Sequence, residues 1–309
     1  MATPVEKSGN PNPPRDLFSN PTGGAEKEPL RQGEISPREK GELAGKELII
    51  VDTFPFFFRN FYALPPLRSP DGFPTGMLQG LVNFIHKLPE IGGNYIVFAL
   101  DSDKGKNFRK SLYPQYKENR PAPPEDLKLQ IQKGIELLKG MGFKLIEIPG
   151  FESDDVIASL VEWGKEMGFG KIKILSTDKD LCQLIENDRV ILYDFFKNIE
   201  IDREGCFKKF GVYPEQFRDY LSLVGDSIDN IPGVKGIGPK RARELLEKYG
   251  TLEQIYNHLE ELPAGISKKL EEGRESAFLS RELVQLRRDL FQLDQESGEL
   301  NRKSEFEKE

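Results

Sequence analysis

Only two cysteines and two histidines occur among the 309 residues. Cys182 and Cys206 form no Cys-x-x-Cys pattern, so they read as ordinary buried thiols. His86 and His258 are too few for a His-rich zinc site or a His-based hydrolytic triad. No apolar run is long enough for a membrane span. The N-terminus lacks the apolar stretch of a secretory signal, which argues against an oxidising compartment. A basic surplus is missing too: 44 Lys+Arg stand against 51 Asp+Glu, for a net charge of −7.

That deficit is unevenly spread. Residues 1–45 carry seven acids and six bases, and residues 291–309 carry six acids and three bases, leaving −3 for residues 46–290. If nine carboxylates of that core belong to one metal site, the remainder of the core is +6, so a polyanionic partner is compatible with the composition. Residues 1–45 also hold seven prolines and six glycines. Such a stretch buries too little apolar surface to offset its ordering entropy and reads as a disordered extension. Residues 291–309 read as a polar tail.

Three short apolar runs, Glu47–Val51, Tyr95–Leu100 and Lys171–Leu175, have the length and β-branched content of buried strands, and Val190–Tyr193 is a fourth. Between them, Met77, Leu78, Leu81, Val82, Ile85 and Leu88 mark one helix, and Leu127, Ile131, Ile135 and Leu138 another. The alternation implies an α/β fold with a mostly parallel central sheet flanked by helices over residues 46–212. Beyond about residue 213 the pattern is purely helical to residue 290, broken at Gly225, Pro232–Gly238, Gly250 and Pro263.

Each of the first three strands leads into an aspartate: Asp52, Asp101 and Asp178. In an open parallel sheet the carboxyl ends of the strands form the ligand crevice, so the three converge. Glu152, Asp154 and Asp155 open a further helix, with Ser153 as its expected N-cap. Asp180 opens another. Asp226 and Asp229, one helical turn apart, add two acids from the helical region. Singly, such acids complement a helix dipole or fill a turn. Together they repel one another unless cations neutralise them. An all-oxygen set suits Mg²⁺, or Mn²⁺, rather than zinc, and two such ions could activate water and stabilise a leaving oxygen. A structural calcium cluster is the plainer alternative, although no EF-hand spacing is present.

Residues 104–120 hold six bases against the single acid Glu118, interleaved with Phe108, Tyr113 and Tyr116. This suits a phosphate backbone with stacking on unpaired bases, or else a solvated amphipathic surface. Gly233–Ala242, followed by Leu245 and Leu246, reads as a helix-hairpin-helix. Gly236 and Gly238 would allow close backbone approach, and Lys235, Lys240 and Arg241 add positive charge.

These residues together resemble the 5′-nuclease (flap endonuclease) family, most closely its bacterial branch, the 5′→3′ exonuclease domain of DNA polymerase I. The resemblance covers residues 47–290. It rests on Val51-Asp52 with Phe58–Leu64, Phe108-Arg109 with Tyr116-Lys117, Gly150–Asp155, Ser176–Asp180 and Gly225–Gly238. It implies a PIN-like core with a helical arch near residues 104–125, followed by a helix-hairpin-helix region. Asp52, Asp101, Glu152, Asp154, Asp155, Asp178, Asp180, Asp226 and Asp229 would be the metal carboxylates, and no acid the family uses is missing. Arg109 and Lys117 would meet the scissile phosphate as catalytic residues. Arg59, Tyr116, Arg120, Lys235, Gly236, Gly238, Lys240 and Arg241 would contact DNA. The cofactors implied are two or more Mg²⁺ ions, with Mn²⁺ as a substitute, and K⁺ at the hairpin. The partner implied is branched or nicked duplex DNA with a 5′ end or flap, RNA-primed in replication, met by a monomer in the bacterial cytoplasm at the nucleoid.

One departure is Thr53–Phe57, where relatives usually carry small or polar residues. Its phenylalanines, with Phe58, either form an apolar wedge or pack under the arch. The proline-rich leader is another, and the length fits a stand-alone nuclease or a piece of a longer polymerase. Two other readings compete: a non-catalytic DNA-junction binder that retains the fold, and a ribonuclease with the same crevice. A binder gains nothing from nine repulsive charges facing phosphate, and a helix-hairpin-helix favours duplex DNA.

Overall fold

In the computed structural model, residues 43–102, 107–293 and 300–302 are described. The extension at 1–42 and Lys104 and Lys106 of the basic segment lie outside them. The central sheet runs β3(Lys144–Glu147)-β2(Tyr95–Leu100)-β1(Glu47–Asp52)-β4(Lys171–Leu175)-β5(Val190–Asp194)-β6(Ile199–Ile201). All neighbours are parallel except the β5–β6 pair. Residues Leu48–Val51 of β1 are buried on both faces, as a central parallel strand requires. Successive connections leave β1 toward β2 on one side, while β4 flanks it on the other. The crevice at this change of direction opens above Asp52.

One face is covered by α1(Thr53–Ala63), α2(Gly76–Ile91) and α4(Glu125–Gly140), and a five-residue α3(Phe108–Leu112) precedes α4. Here the phenylalanine run does its packing: Phe57 is fully buried, and the Phe56 ring lies 4.4 Å from that of Phe84 and 5.5 Å from that of Phe196. The other face carries α5(Ser153–Met167) and, beyond it, α6(Arg203–Phe210), α7(Pro214–Val224), α8(Pro239–Tyr249), α9(Leu252–Asn257), α10(Ala264–Glu272) and α11(Arg274–Val284). A two-stranded ladder, β7(Phe291–Leu293) with β8(Leu300–Arg302), follows.

Several expectations need correction. No helical arch stands over the site among the described residues: α3 is one short turn, and residues 114–119 are turns folded back toward the acids. The core begins at Leu43, which is buried in a 3₁₀ turn, three residues before the expected boundary. Part of the polar tail forms the β7–β8 ladder. Asp226 and Asp229 lie on a turn closed by the Asp226↔Ile231 bridge, not on a helix. That turn is tight because Gly225 and Gly233 approach each other: a Cβ on either would come within 2.5 Å of backbone, and both have positive φ.

Candidate nucleic-acid and metal site

The carboxyl edge of the sheet gathers the acids in two groups. In the first, Asp52 ends β1 and is buried. The hydroxyl of Ser176 donates to its Oδ2 (2.7 Å) and that of Ser153 to its Oδ1 (3.2 Å). The Ser153 N–H donates to Asp101 Oδ1 (2.8 Å), which ties the ends of β1 and β2 to the start of α5. Glu152, one residue before the expected cap, is the N-cap of α5. The Asp154 carboxylate accepts no hydrogen bond from the described residues and is felt by Asp178 and Asp52. In the second group, Asp178 accepts the Asp180 N–H (2.9 Å). Asp226 Oδ1 accepts from the backbone of Ile228 (2.8 Å) and Asp229 (3.4 Å), and its Oδ2 accepts from Lys179.

The electrostatics follow from burial. Burial pushes the Asp52 carboxyl up to about 8, with Asp178 and Asp101 adding to it. Burial beside Asp178 lifts Asp180 to about 7. Asp154 and Asp178 are also raised, by burial first and by neighbouring acids next. Glu152 goes the other way: although burial raises it, Lys117 and Arg109 hold it at about 2.

Lys117 sits at the junction of the two groups. Its Nζ donates to Glu152 Oε2 (2.8 Å) and lies 3.9 Å from Asp229 Oδ2. Its backbone, at φ +56°, is pinned by an N–H bond to the Asp229 carbonyl (2.9 Å). Such a strained conformation in a non-glycine residue persists only where its surroundings enforce it. Tyr116 is buried and its hydroxyl donates to Glu152 (2.9 Å), so its ring is not free to stack on a base. Arg120 forks onto Asp229.

Arg109 and Asp155 form a buried pair behind Glu152. Arg109 is 2% exposed and Asp155 0%. The guanidinium donates to both Asp155 oxygens (2.6 and 2.7 Å) and to the Leu283 and Gln285 carbonyls (2.7 and 3.0 Å) at the end of α11. Asp155 also accepts from the backbone of Arg287 (2.9 Å) and Glu152 (3.3 Å). The same guanidinium lies 3.6 Å from Glu152 Oε2, so Asp155 is spent on this pair while Arg109 touches the crevice only through Glu152.

On the hairpin, Lys235 and Gly236 in the turn before α8, Gly238 at its N-cap, and Lys240 and Arg241 in its first turn are all exposed. Gly236 has φ +82°. Arg59 is exposed and its guanidinium lies over the Phe196 ring (4.3 Å). Sequence reasoning missed Asn107, whose side chain caps α3 and donates to Glu152 Oε1 (3.0 Å). It also missed the carboxylate-bridging roles of Ser153 and Ser176, and Lys179. Asn just before a helix and Lys between two crevice aspartates were the available signals.

Among the described residues, no three Asp, Glu, His or Cys side chains form a ready-made ion cage. Serine hydroxyls, Lys117, Lys179 and Arg120 take up the carboxylate oxygens instead. The set nevertheless fits a divalent cation. It is all oxygen, four of its carboxyls are destabilised as anions by burial and mutual repulsion, and buried Asp180 Oδ1 has no hydrogen-bond partner.

Two family models match. Residues 47–211 fit the 5′-3′ exonuclease N-terminal resolvase-like domain, and residues 212–307 the 5′-3′ exonuclease C-terminal SAM fold. The chain is 40% identical over 259 residues to a 5′-3′ exonuclease of Aquifex aeolicus, covering 83% of this chain and 88% of that protein. It is also 40% identical over 250 residues to DNA polymerase I of Caldicellulosiruptor bescii, where it covers 79% of this chain but spans only 29% of the polymerase. Among solved structures it is similar to the bacteriophage T5 flap endonuclease in a pseudo-enzyme–product complex with DNA and metal ions. There the identity is 26%, coverage 78% and 90% of the two chains, and the TM-score 0.65. The T5 5′-exonuclease with bound zinc ions matches with a TM-score of 0.64, at 26% identity over 78% and 90% of the chains.

Proposed function

On the premise that this chain belongs to the 5′-3′ exonuclease family, we propose that it hydrolyses DNA phosphodiesters at a 5′ end or flap, using divalent cations held at the carboxyl edge of its sheet. The observation that carries this reading is the convergence of Asp52, Asp154, Asp178 and Asp180, anions made unfavourable by burial and by one another, above the strand-order change. Asp52, Asp101, Glu152 and Asp154 would hold one cation and Asp178, Asp180, Asp226 and Asp229 a second, with Mg²⁺ the natural occupant and Mn²⁺ a substitute. When bound, the two ions would lower the pKa of an attacking water and offset charge on the leaving oxygen.

The chain's own residues supply the rest. Lys117 presents its ammonium where the two acid groups meet, the position from which it can stabilise a phosphate as charge develops. Tyr116 and Asn107 hold Glu152 in place, while Arg109 and Asp155 act as positioning residues that fasten α3, α5 and the end of α11 together. Lys235, Lys240 and Arg241, with the free N–H groups of the α8 N-terminus, grip the duplex backbone without reading sequence. A K⁺ ion at the hairpin carbonyls would reinforce that grip. Arg120 and Arg59 add positive charge nearer the crevice. The substrate is nicked or branched duplex DNA, including RNA-primed strands, met by a monomer at the bacterial nucleoid.

Asp178→Asn tests the assignment. It is expected to abolish cleavage of a 5′-flapped duplex while duplex affinity stays within about threefold, measured by fluorescence anisotropy. Full activity in the variant would contradict the cation-binding role.

A further inference from the structure

Lys179 is flanked in sequence by two acids of the crevice, Asp178 and Asp180, and has no part in the proposed reaction. Its Nζ pairs with Asp226 Oδ2, bridging the turn after β4 to the turn before α8. The other oxygen of Asp226 is already committed to the backbone of Ile228 and Asp229. A cation that uses Asp226 must therefore compete for the oxygen Lys179 holds.

The two lysines of the site differ in how easily they yield. Lys117 is clasped by Glu152 and Asp229 and only 17% of its side chain is exposed. Lys179 is 41% exposed, and its one carboxylate partner among the described residues is Asp226. It can swing into water at the modest cost of an exposed ion pair. Its four-carbon stem keeps the ammonium tethered beside Asp178 and Asp180, so the competitor is always present.

We propose that Lys179 is a tethered counter-cation that occupies the Asp226 side of the site and weakens its affinity for a divalent ion in the absence of DNA. The inference rests on the cation-binding reading above. It assigns Lys179 a positioning role, holding the acid turn against the sheet edge when no ion does.

The test is Mn²⁺ binding to the full chain without DNA, read as the loss of the free aquo-Mn²⁺ electron paramagnetic resonance signal at fixed ionic strength. Lys179→Met should bind Mn²⁺ roughly two- to fivefold more tightly than wild type, the factor expected from an exposed ion pair of up to about 1 kcal/mol. Lys179→Arg, which keeps the charge, should stay at the wild-type affinity. Lys208→Met, at an exposed lysine on α6 with no ion pair to the site carboxylates among the described residues, serves as the control for net charge. Unchanged or weaker binding in Lys179→Met, or an equal gain in Lys208→Met, overturns the inference while leaving the cation site intact. No Mn²⁺ binding by wild type overturns the cation-site reading itself, and this inference with it.

Discussion

Replacing Arg109 by methionine would leave Asp155 fully buried with two backbone N–H groups and no counter-charge, and would strip two carbonyls at the end of α11 of their donor. Breaking a buried pair from one side costs about 3–5 kcal/mol. We expect a loss of that size in denaturant unfolding, with little recovery in Arg109→Lys, since an ammonium cannot reproduce the two-pronged bond. Lys117→Ala should behave oppositely. Glu152 keeps Tyr116, Asn107 and Arg109, so the stability loss should be smaller than that of the Arg109 variant, while the single-turnover cleavage rate falls about 100-fold or more. Equal stability losses in both variants would mean the two cations share one role.

The aspartates make the ion-free protein sensitive to pH. Asp52 and Asp180 are raised to about 8 and about 7 from an ordinary 3.8, so the folded state binds more protons than the unfolded one between those values. Their contribution is complete below pH 3.8 and is lost as pH rises through 7 and 8. Glu152, lowered to about 2, contributes above pH 4.5 and loses that as pH falls toward 2. In EDTA the melting temperature should therefore fall between about pH 5 and 8 and level off above, and saturating Mg²⁺ should remove that fall. A melting temperature that rises over this range in EDTA would contradict the assignment of these carboxyls.

At the scale of elements, the proposed function makes α8 and its preceding turn the gripping unit. Lys240→Ala should weaken duplex binding a few-fold and lower the slope of its salt dependence by about one, with the single-turnover rate at saturation unchanged. A lower rate at saturation with unaltered affinity would put Lys240 in the chemistry instead. The elements that sequence made legible are those with one dominant signal. β1, β2, β4 and β5 are continuous apolar runs, and α2 and α4 have helical periodicity. β3 was not legible because Lys144 and Glu147 bracket only two apolar residues at the sheet margin, and β6 because three residues carry no pattern. α1 was hidden by its phenylalanines, which imitate a strand until Phe56 and Phe57 are seen packing against α2 and the β5 end. In the site, the acids at strand ends were legible because parallel-sheet topology dictates where they converge. The division of labour among them was not. Sequence cannot tell that Asp155 is spent on Arg109 and Arg287, or that Tyr116 is buried under Glu152, because both depend on contacts 36 to 132 residues apart.

For the whole molecule, segregation of its charges makes an acidic chain compatible with the acidic polymer of the proposed function. The surplus carboxylates are concentrated at the sheet edge, where cations would neutralise them, and the exposed lysines and arginine surround the α8 N-terminus. The two parts are joined by ion pairs and hydrogen bonds from Lys179, Lys117, Arg109 and Arg120 to groups across the chain, so grip and crevice are held in one register. The measurement that reaches this most directly is release of a labelled 5′ flap from a duplex, compared in Mg²⁺ and in EDTA. The flap should be released in Mg²⁺ alone, with the cut at or within a few nucleotides of the junction. Tight binding of the flapped duplex with no cleavage in Mg²⁺ or Mn²⁺ would contradict the hydrolytic assignment and leave a protein that binds junctions without cutting them.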